Sequence, residues 1–265
     1  MNPTEPKKRI PKALHKHPNY ENFSAQCPYP DCAKWNIYNR ASDLRTFELI
    51  SNMEVTCQNP QCGRPFTIGG DLVNPAWQML ISDCEVLKGE KRYAYCVLNL
   101  AQAFEVFFSL YFRVELLYRP FVRDGNHDIE RLNRLFILLY SSVKDYTFGP
   151  MCSAFISSVL RRQNYSSLME AEDAMSQALS CPKMPSDERI RSYPDSGLAS
   201  LLLELKDTKV PSLRNNVVHK HAYRPTVDEV EQCIKETAHL LYGLDSKLGT
   251  LVDDINWYYG HANGN

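Results

Sequence analysis

Arg92-Tyr-Ala-Tyr-Cys96-Val-Leu-Asn-Leu100-Ala-Gln-Ala103-Phe-Glu105-Val-Phe107-Phe-Ser-Leu110-Tyr-Phe-Arg-Val114-Glu-Leu-Leu117 is the stretch that sets the fold class. Its residues Cys96, Leu100, Ala103, Phe107, Leu110, Val114 and Leu117 recur at threes and fours, the spacing that lines one face of an α-helix with apolar side chains. Such a helix must be buried against others, and the flanking sequence supplies them. Asn74-Pro75 is an N-cap followed by Pro at the first helical position, opening a helix to about residue 87. Tyr118-Arg-Pro120 and Asp124-Gly125-Asn126 end the central helix. Further helices are expected over residues 128–144, 151–162, 198–205, 212–223 and 227–252, with a Pro-rich connection over 181–197. The expectation is a mainly α domain over residues 71–265, a bundle of five to seven helices, and a chain with no internal repeat and no Gly-rich phosphate loop.

Composition narrows the function classes. The chain has 265 residues, with 30 Lys+Arg against 31 Asp+Glu, which excludes a uniformly basic nucleic-acid coat and leaves room only for a local basic face. Apolar runs such as residues 135–140 fall short of the roughly 20 residues that span a bilayer, and the N-terminus lacks an apolar signal core. No membrane partner and a cytoplasmic location are therefore expected. Residues 1–20 hold five Lys/Arg, one acid and four prolines, and read as a flexible basic arm.

Nine cysteines are present, and four fall into two pairs. Cys27-Pro-Tyr-Pro-Asp-Cys32 and Cys57-Gln-Asn-Pro-Gln-Cys62-Gly63 each put four residues between cysteines on a Pro-bearing turn. Four thiolates on two such knuckles make a closed tetrahedral site for Zn²⁺ at Cys27, Cys32, Cys57 and Cys62. Short strands are expected over residues 34–38, 54–56 and 66–68. About 45 residues cannot build an adequate core alone, so here the metal contributes to folding. The segment 21–70 resembles a zinc ribbon, although the usual knuckle has two residues between its cysteines. Four thiolates leave no open position for water, so the zinc is expected to be structural. Lys34, Trp35 and Tyr38 are candidates for a stacking surface. The other cysteines, Cys84, Cys96, Cys152, Cys181 and Cys233, read as buried thiols rather than a disulfide framework.

Chemistry concentrates in Val210-Pro-Ser-Leu-Arg214-Asn215-Asn-Val-Val-His219-Lys220-His221-Ala-Tyr223-Arg224-Pro225. Pro211 and Ser212 mark a helix start, which places Arg214 and Asn215 in the first turn, where free N–H groups favour an anion. Asn215 and His219 are four apart and share a face; Arg214 and His221 are seven apart and nearly eclipse. Cleaving a phosphodiester without a metal needs a base for the attacking hydroxyl, an acid for the leaving oxygen and a cation for the phosphorane charge. Histidine serves the first two roles and arginine the third. One His does not easily play both parts on one substrate.

Arg214-Asn215-Asn-Val-Val-His219 resembles the Arg-Asn-x-x-x-His form of the motif in HEPN domains, a family of α-helical bundles; Leu98-Asn-Leu-Ala-Gln-Ala-Phe-Glu105 is similar to that family's first long helix. The resemblance covers about residues 75–255 and is motif-deep. It implies a metal-independent endoribonuclease of a prokaryotic defence, abortive-infection or toxin–antitoxin type, acting on single-stranded RNA or tRNA as a homodimer. Arg214 and His219 of two protomers would form a composite site, Asn215 would orient His219 or bind phosphate, and the products would carry 2′,3′-cyclic phosphates. Arg214, His221 and Tyr223 also fit the Arg-x(4–6)-His-x-Tyr version, in which a partner nucleotidyltransferase antitoxin modifies the tyrosine. Tyr223 is nevertheless expected to be a packing residue bonded to a helix end. Glu105, alone in its apolar stripe, is expected to pair with a bundle cation such as Arg214. The alternative function is a non-catalytic module that binds nucleic acid or a protein partner.

Overall fold

Four short strands build the N-terminal part of the computed structural model, which describes residues 22–39, 53–68, 76–125, 128–143, 145–162, 164–179, 183–220 and 223–249. Strands β1 (Asn22–Gln26) and β2 (Trp35–Asn39) form one antiparallel hairpin, and β3 (Met53–Thr56) and β4 (Pro65–Ile68) form another. Pairing puts Gln26 opposite Trp35 and Thr56 opposite Pro65, so each Cys-Cys turn closes the end of its hairpin. Three strands are expected from the sequence; the fourth, β1, carries only Phe23 and Ala25 as apolar residues, too weak an alternation to read alone.

The two hairpins repeat one another at an offset of 30 residues, contrary to the expectation of no internal repeat. Both read Cys-x-x-Pro-x-Cys, then a small residue, then a cation. In the first, the Cys27 N–H donates to the Lys34 carbonyl and those of Cys32 and Ala33 to the Tyr29 carbonyl; in the second, the Cys57 N–H donates to Arg64 and those of Cys62 and Gly63 to Asn59. Ala33 and Gly63 both have positive φ, 44° and 56°. A small residue suits that left-handed position. The hairpins share a core of Cys27, Tyr38, Val55, Cys57, Phe66 and Ile68. The Gln58 side chain joins them by donating to the Ile37 carbonyl and accepting from its N–H, at 2.7 and 3.1 Å, and the Tyr38 hydroxyl donates to the Thr56 carbonyl.

The chain divides into two compact units, Met1–Val73 and Asn74–Asn265, and the second is helical. It contains α1 (Ala76–Gly89), α2 (Tyr93–Arg113), α3 (Arg119–Arg123), α4 (Ile129–Val143), α5 (Phe148–Arg161), α6 (Leu168–Leu179), α7 (Asp187–Arg191), α8 (Ser196–Lys206), α9 (Val210–His219) and α10 (Val227–Leu248). Helix α2 is the axis of the unit, packed by α1, α5, α9 and α10. Its whole expected stripe is buried, joined by Phe104, Phe108, Tyr111 and Phe112. Phe108 stacks on Phe155 of α5 at 4.8 Å, and Trp77 of α1 meets Tyr242 of α10 at 4.9 Å. The helical run Tyr93–Arg123 is, among the described residues, the one long and apolar enough to cross a membrane, contrary to the expectation that no stretch suffices; most of its apolar window is buried inside the unit.

That central run does not end at Tyr118. A π turn over Val114–Tyr118 carries it on into α3, with the Arg119 N–H donating to the Val114 carbonyl five residues back. Pro120 follows close on the π turn, so the shift in hydrogen-bond register falls where its ring and missing N–H interrupt the helical ladder. Glu115, buried in the π turn, accepts from Arg119 and, at 3.3 Å, pairs with Arg162; both arginines also donate to the Leu248 carbonyl at 3.1 Å. Two cations thus hold the C-terminal end of α10, where the helix dipole favours positive charge. Among the described residues the cysteines are free, and Cys84 and Cys96 are buried side by side with their thiols donating to each other's carbonyls at 3.5 Å. Cys181, Asn74 and Pro75 lie outside the described residues.

Candidate functional site

The repeated turns aim four sulfurs at one point. All four Sγ atoms lie within 4.8 Å of one another, with Cys27 and Cys62 3.9 Å apart and Cys32 and Cys57 3.7 Å apart. Zn–S bonds of about 2.3 Å in a tetrahedron place sulfurs about 3.8 Å apart, so the cluster fits a metal ion such as zinc. The separations are far beyond a disulfide bond. Each knuckle supplies one buried sulfur, Cys27 or Cys57, and one half-exposed sulfur, Cys32 or Cys62.

The half-exposed sulfurs receive hydrogen bonds that suit thiolates. Asn59 Nδ2 donates to Cys32 Sγ at 3.3 Å, and Arg64 Nε donates to Cys62 Sγ at 3.2 Å. With no metal bound, the Asn59 bond brings the Cys32 thiol down to about 6, and the Arg64 backbone N–H, then its side chain, lower Cys62. Burial pushes Cys27 up to about 12. A coordinated metal overrides that difference by deprotonating its thiol ligands. Asn59 and Arg64 escape a reading based on cysteine spacing alone, although both occupy equivalent positions to Tyr29 and Lys34 in the repeat.

Of the three candidate stacking residues, Tyr38 belongs to the hairpin core while Lys34 and Trp35 are exposed, Trp35 by 64%. The core closes without Trp35.

In the helical unit, α9 starts two residues earlier than expected, at Val210, with Lys209 as N-cap. Arg214 and Asn215 therefore stand in the second turn, where their N–H groups are committed to the helix and offer no anion site. Val210 and Leu213 bury the inner face; Asn215, Val218 and His219 are exposed on the outer one. Arg214 is half-buried on the flank and its Nη1 donates to Asn215 Oδ1 at 3.2 Å. Five residues of helix put His219 about 140° around the axis from Arg214, so one chain joins Arg214 to Asn215 and gives Asn215 and His219 a common face, but does not join Arg214 to His219.

Helix α9 ends at His219, and the cap residue Lys220 has extended backbone. The helical alignment of Arg214 with residue 221 therefore does not form, and His221 itself lies outside the described residues. Tyr223 is half-buried and its hydroxyl donates to Glu229 Oε1 at 2.7 Å. Glu229 is in turn the capping-box residue of α10, with Thr226 at the N-cap. Tyr223 is thus bonded to a helix end.

Glu105 of α2 is half-buried; burial raises its carboxyl, and the Arg214 charge works in the opposite direction. A groove of about 210 Å³ lies on the other flank of α9, lined by Lys209, Ser212, Asn216, Glu229, Gln232 and Cys233 among others. Two carboxylates, Glu229 and Glu236, border it, so it does not suit an anionic ligand.

No family model, curated protein or solved structure matches this chain. It is a mainly helical protein with a four-cysteine cluster able to hold a metal ion.

Proposed function

We propose that the chain is a metal-independent endoribonuclease acting as a homodimer, with Arg214, Asn215 and His219 as its reacting set. The observation that carries this reading is the outer face of α9, where Asn215 and His219 share one exposed side and Asn215 is held by Arg214. A neutral imidazole there takes the 2′-OH proton, an imidazolium on the other copy protonates the leaving 5′-oxygen, and the guanidinium stabilises phosphorane charge. One His219 does not easily serve as both base and acid on one substrate, so a second copy supplies the other. Glu105 lies within the field of Arg214 and serves as its counter-charge. The four cysteines hold structural Zn²⁺ in a ribbon-like unit, and the Arg-Asn-x-x-x-His motif supports a HEPN-like reading of the bundle. RNA, single-stranded or tRNA, is the substrate class, and a defence or toxin–antitoxin setting in the cytoplasm follows from the resemblance alone.

The test is incubation of purified wild-type, Arg214→Ala and His219→Ala proteins with total RNA, with and without EDTA, and mapping of fragment ends. Cleavage by wild type alone, insensitive to EDTA and leaving 2′,3′-cyclic phosphates, is the expected result. Running Arg214→Ala also in a Glu105→Gln background separates lost chemistry from an uncompensated carboxylate, since the double variant restores charge balance but not cleavage.

A second reading, a non-catalytic nucleic-acid or partner-binding module, is favoured by Trp35. A largely exposed indole beside Lys34, unnecessary to the hairpin core, is a platform on which a base can stack. RNA binding without cleavage, lost in Trp35→Ala, would select this reading over the first.

A further inference from the structure

The two knuckles are equivalent in backbone but not in what covers their outer sulfurs. At the position two residues after each second cysteine stands a cation, and at the position two residues after each first cysteine stands a residue facing the other knuckle. In one direction Lys34 Nζ reaches Asn59 Oδ1 at 3.5 Å, and Asn59 donates to Cys32 Sγ. In the other, Arg64 makes three attachments at once. Its Nε donates to Cys62 Sγ at 3.2 Å, its Nη2 pairs with Asp31 at 2.6 Å, and its guanidinium lies 3.9 Å from the centre of the Tyr29 ring. Tyr29 in turn donates its hydroxyl to the Pro65 carbonyl at 2.8 Å. Arg64 and Tyr29 thus cross in opposite directions between the knuckles, over the side where Cys32 and Cys62 are half-exposed.

A divalent ion held by four thiolates carries a net charge of two minus, and its sulfurs are the atoms a competing chelator or proton must reach. A guanidinium donating to one sulfur offsets that charge, and a ring and a carboxylate fix the guanidinium in place. We infer that Arg64 is a positioning residue for the metal: anchored by Tyr29 and Asp31, it closes the outer side of the four-cysteine cluster and slows release of the ion. This rests on the metal-binding reading of the cluster. The planar fork and the stacked face are both in use, so Lys at 64 would supply charge without the closure.

The experiment uses the full chain loaded with Co²⁺, whose absorption reports the ligand set, and follows transfer of metal to excess chelator. Wild type must first show the intense sulfur-to-cobalt absorption of four thiolate ligands; if it does not, the metal reading itself fails. Given that spectrum, Arg64→Gln and Arg64→Lys are expected to keep it unchanged and to release metal about 10 to 100 times faster, the range typical of lost outer contacts around metal ligands. Tyr29→Leu and Asp31→Asn should give smaller accelerations in the same direction. Release from both Arg64 variants at the wild-type rate, with the spectrum intact, overturns the inference. So does wild-type release from Arg64→Lys alone, since charge without the fork would then suffice.

Discussion

Tyr223 shows how a single hydroxyl decides between two chemistries. A tyrosine two residues after a histidine fits a modification motif, but the expectation here is a packing residue, and its oxygen is indeed committed to Glu229 at 2.7 Å, with Glu229 itself committed to the N-terminus of α10. Tyr223→Phe is expected to lower the midpoint of thermal unfolding of the helical unit by about 2–4 °C, one hydrogen bond's worth for a unit of this size, and to leave RNA cleavage unchanged. Loss of cleavage with unchanged stability would reassign Tyr223 to the site. The four-cysteine cluster is legible at this scale because cysteine spacing is a direct signal. Asn59 and Arg64 are not, since asparagine and arginine mark sulfur contacts only once the folded turn shows what they reach.

At the scale of elements, apolar periodicity together with helix-start residues such as Asn74-Pro75 and Pro211-Ser212 located α1, α2, α4, α5, α8, α9 and α10 to within a few residues. It missed α6, whose buried Leu168, Ala171, Met175 and Leu179 recur at threes and fours but form a stripe only four residues long among acids and alanines. It also missed α7, five residues inside the Pro-rich connection, held by Ser186 as its N-cap. The π turn was illegible because a five-residue hydrogen-bond step leaves no mark in a pattern of threes and fours. Helix ends carry measurable consequences. Asp195 caps α8 by accepting from Gly197 and Leu198, and it also pairs with Lys247 in the last turn of α10 at 3.1 Å. The Leu198 N–H first, and then Lys247, hold its carboxyl below the ordinary value; the Thr226 N–H and then Tyr223 do the same for Glu229. A carboxyl depressed in the folded state contributes stability that is complete above its unfolded pKa of about 4 and is lost as pH falls through the folded value. The helical unit should therefore lose stability in acid below about pH 4. In Asp195→Asn that dependence should be shallower, while the midpoint at pH 7 should change little, because Asn caps a helix as well as Asp and the pair with Lys247 is exposed. Equal acid sensitivity in variant and wild type would show that other carboxyls carry the effect.

Across the whole molecule, the two units draw stability from different sources. The helical unit buries large aromatic and aliphatic side chains around α2, whereas the hairpin unit has, among the described residues, a core of six buried hydrophobic residues, two of them cysteines of the four-sulfur cluster. Removing metal with a strong chelator is expected to abolish the β-hairpin signals of residues 22–39 and 53–68 in NMR spectra while the helical circular dichroism persists. Hairpin signals that survive chelation would mean that the small core suffices by itself. The duplicated hairpin carries one more implication, for how molecules meet one another. Each half brings two sulfurs on an equivalent turn, so a metal ion can be held by the first half of one molecule and the second half of another as well as by the two halves of one. Residues 40–52 join the halves covalently, which makes closure within a chain first order in protein and pairing between chains second order. Dilution therefore favours the self-contained molecule, and crowding with scarce metal favours exchange of halves between neighbours.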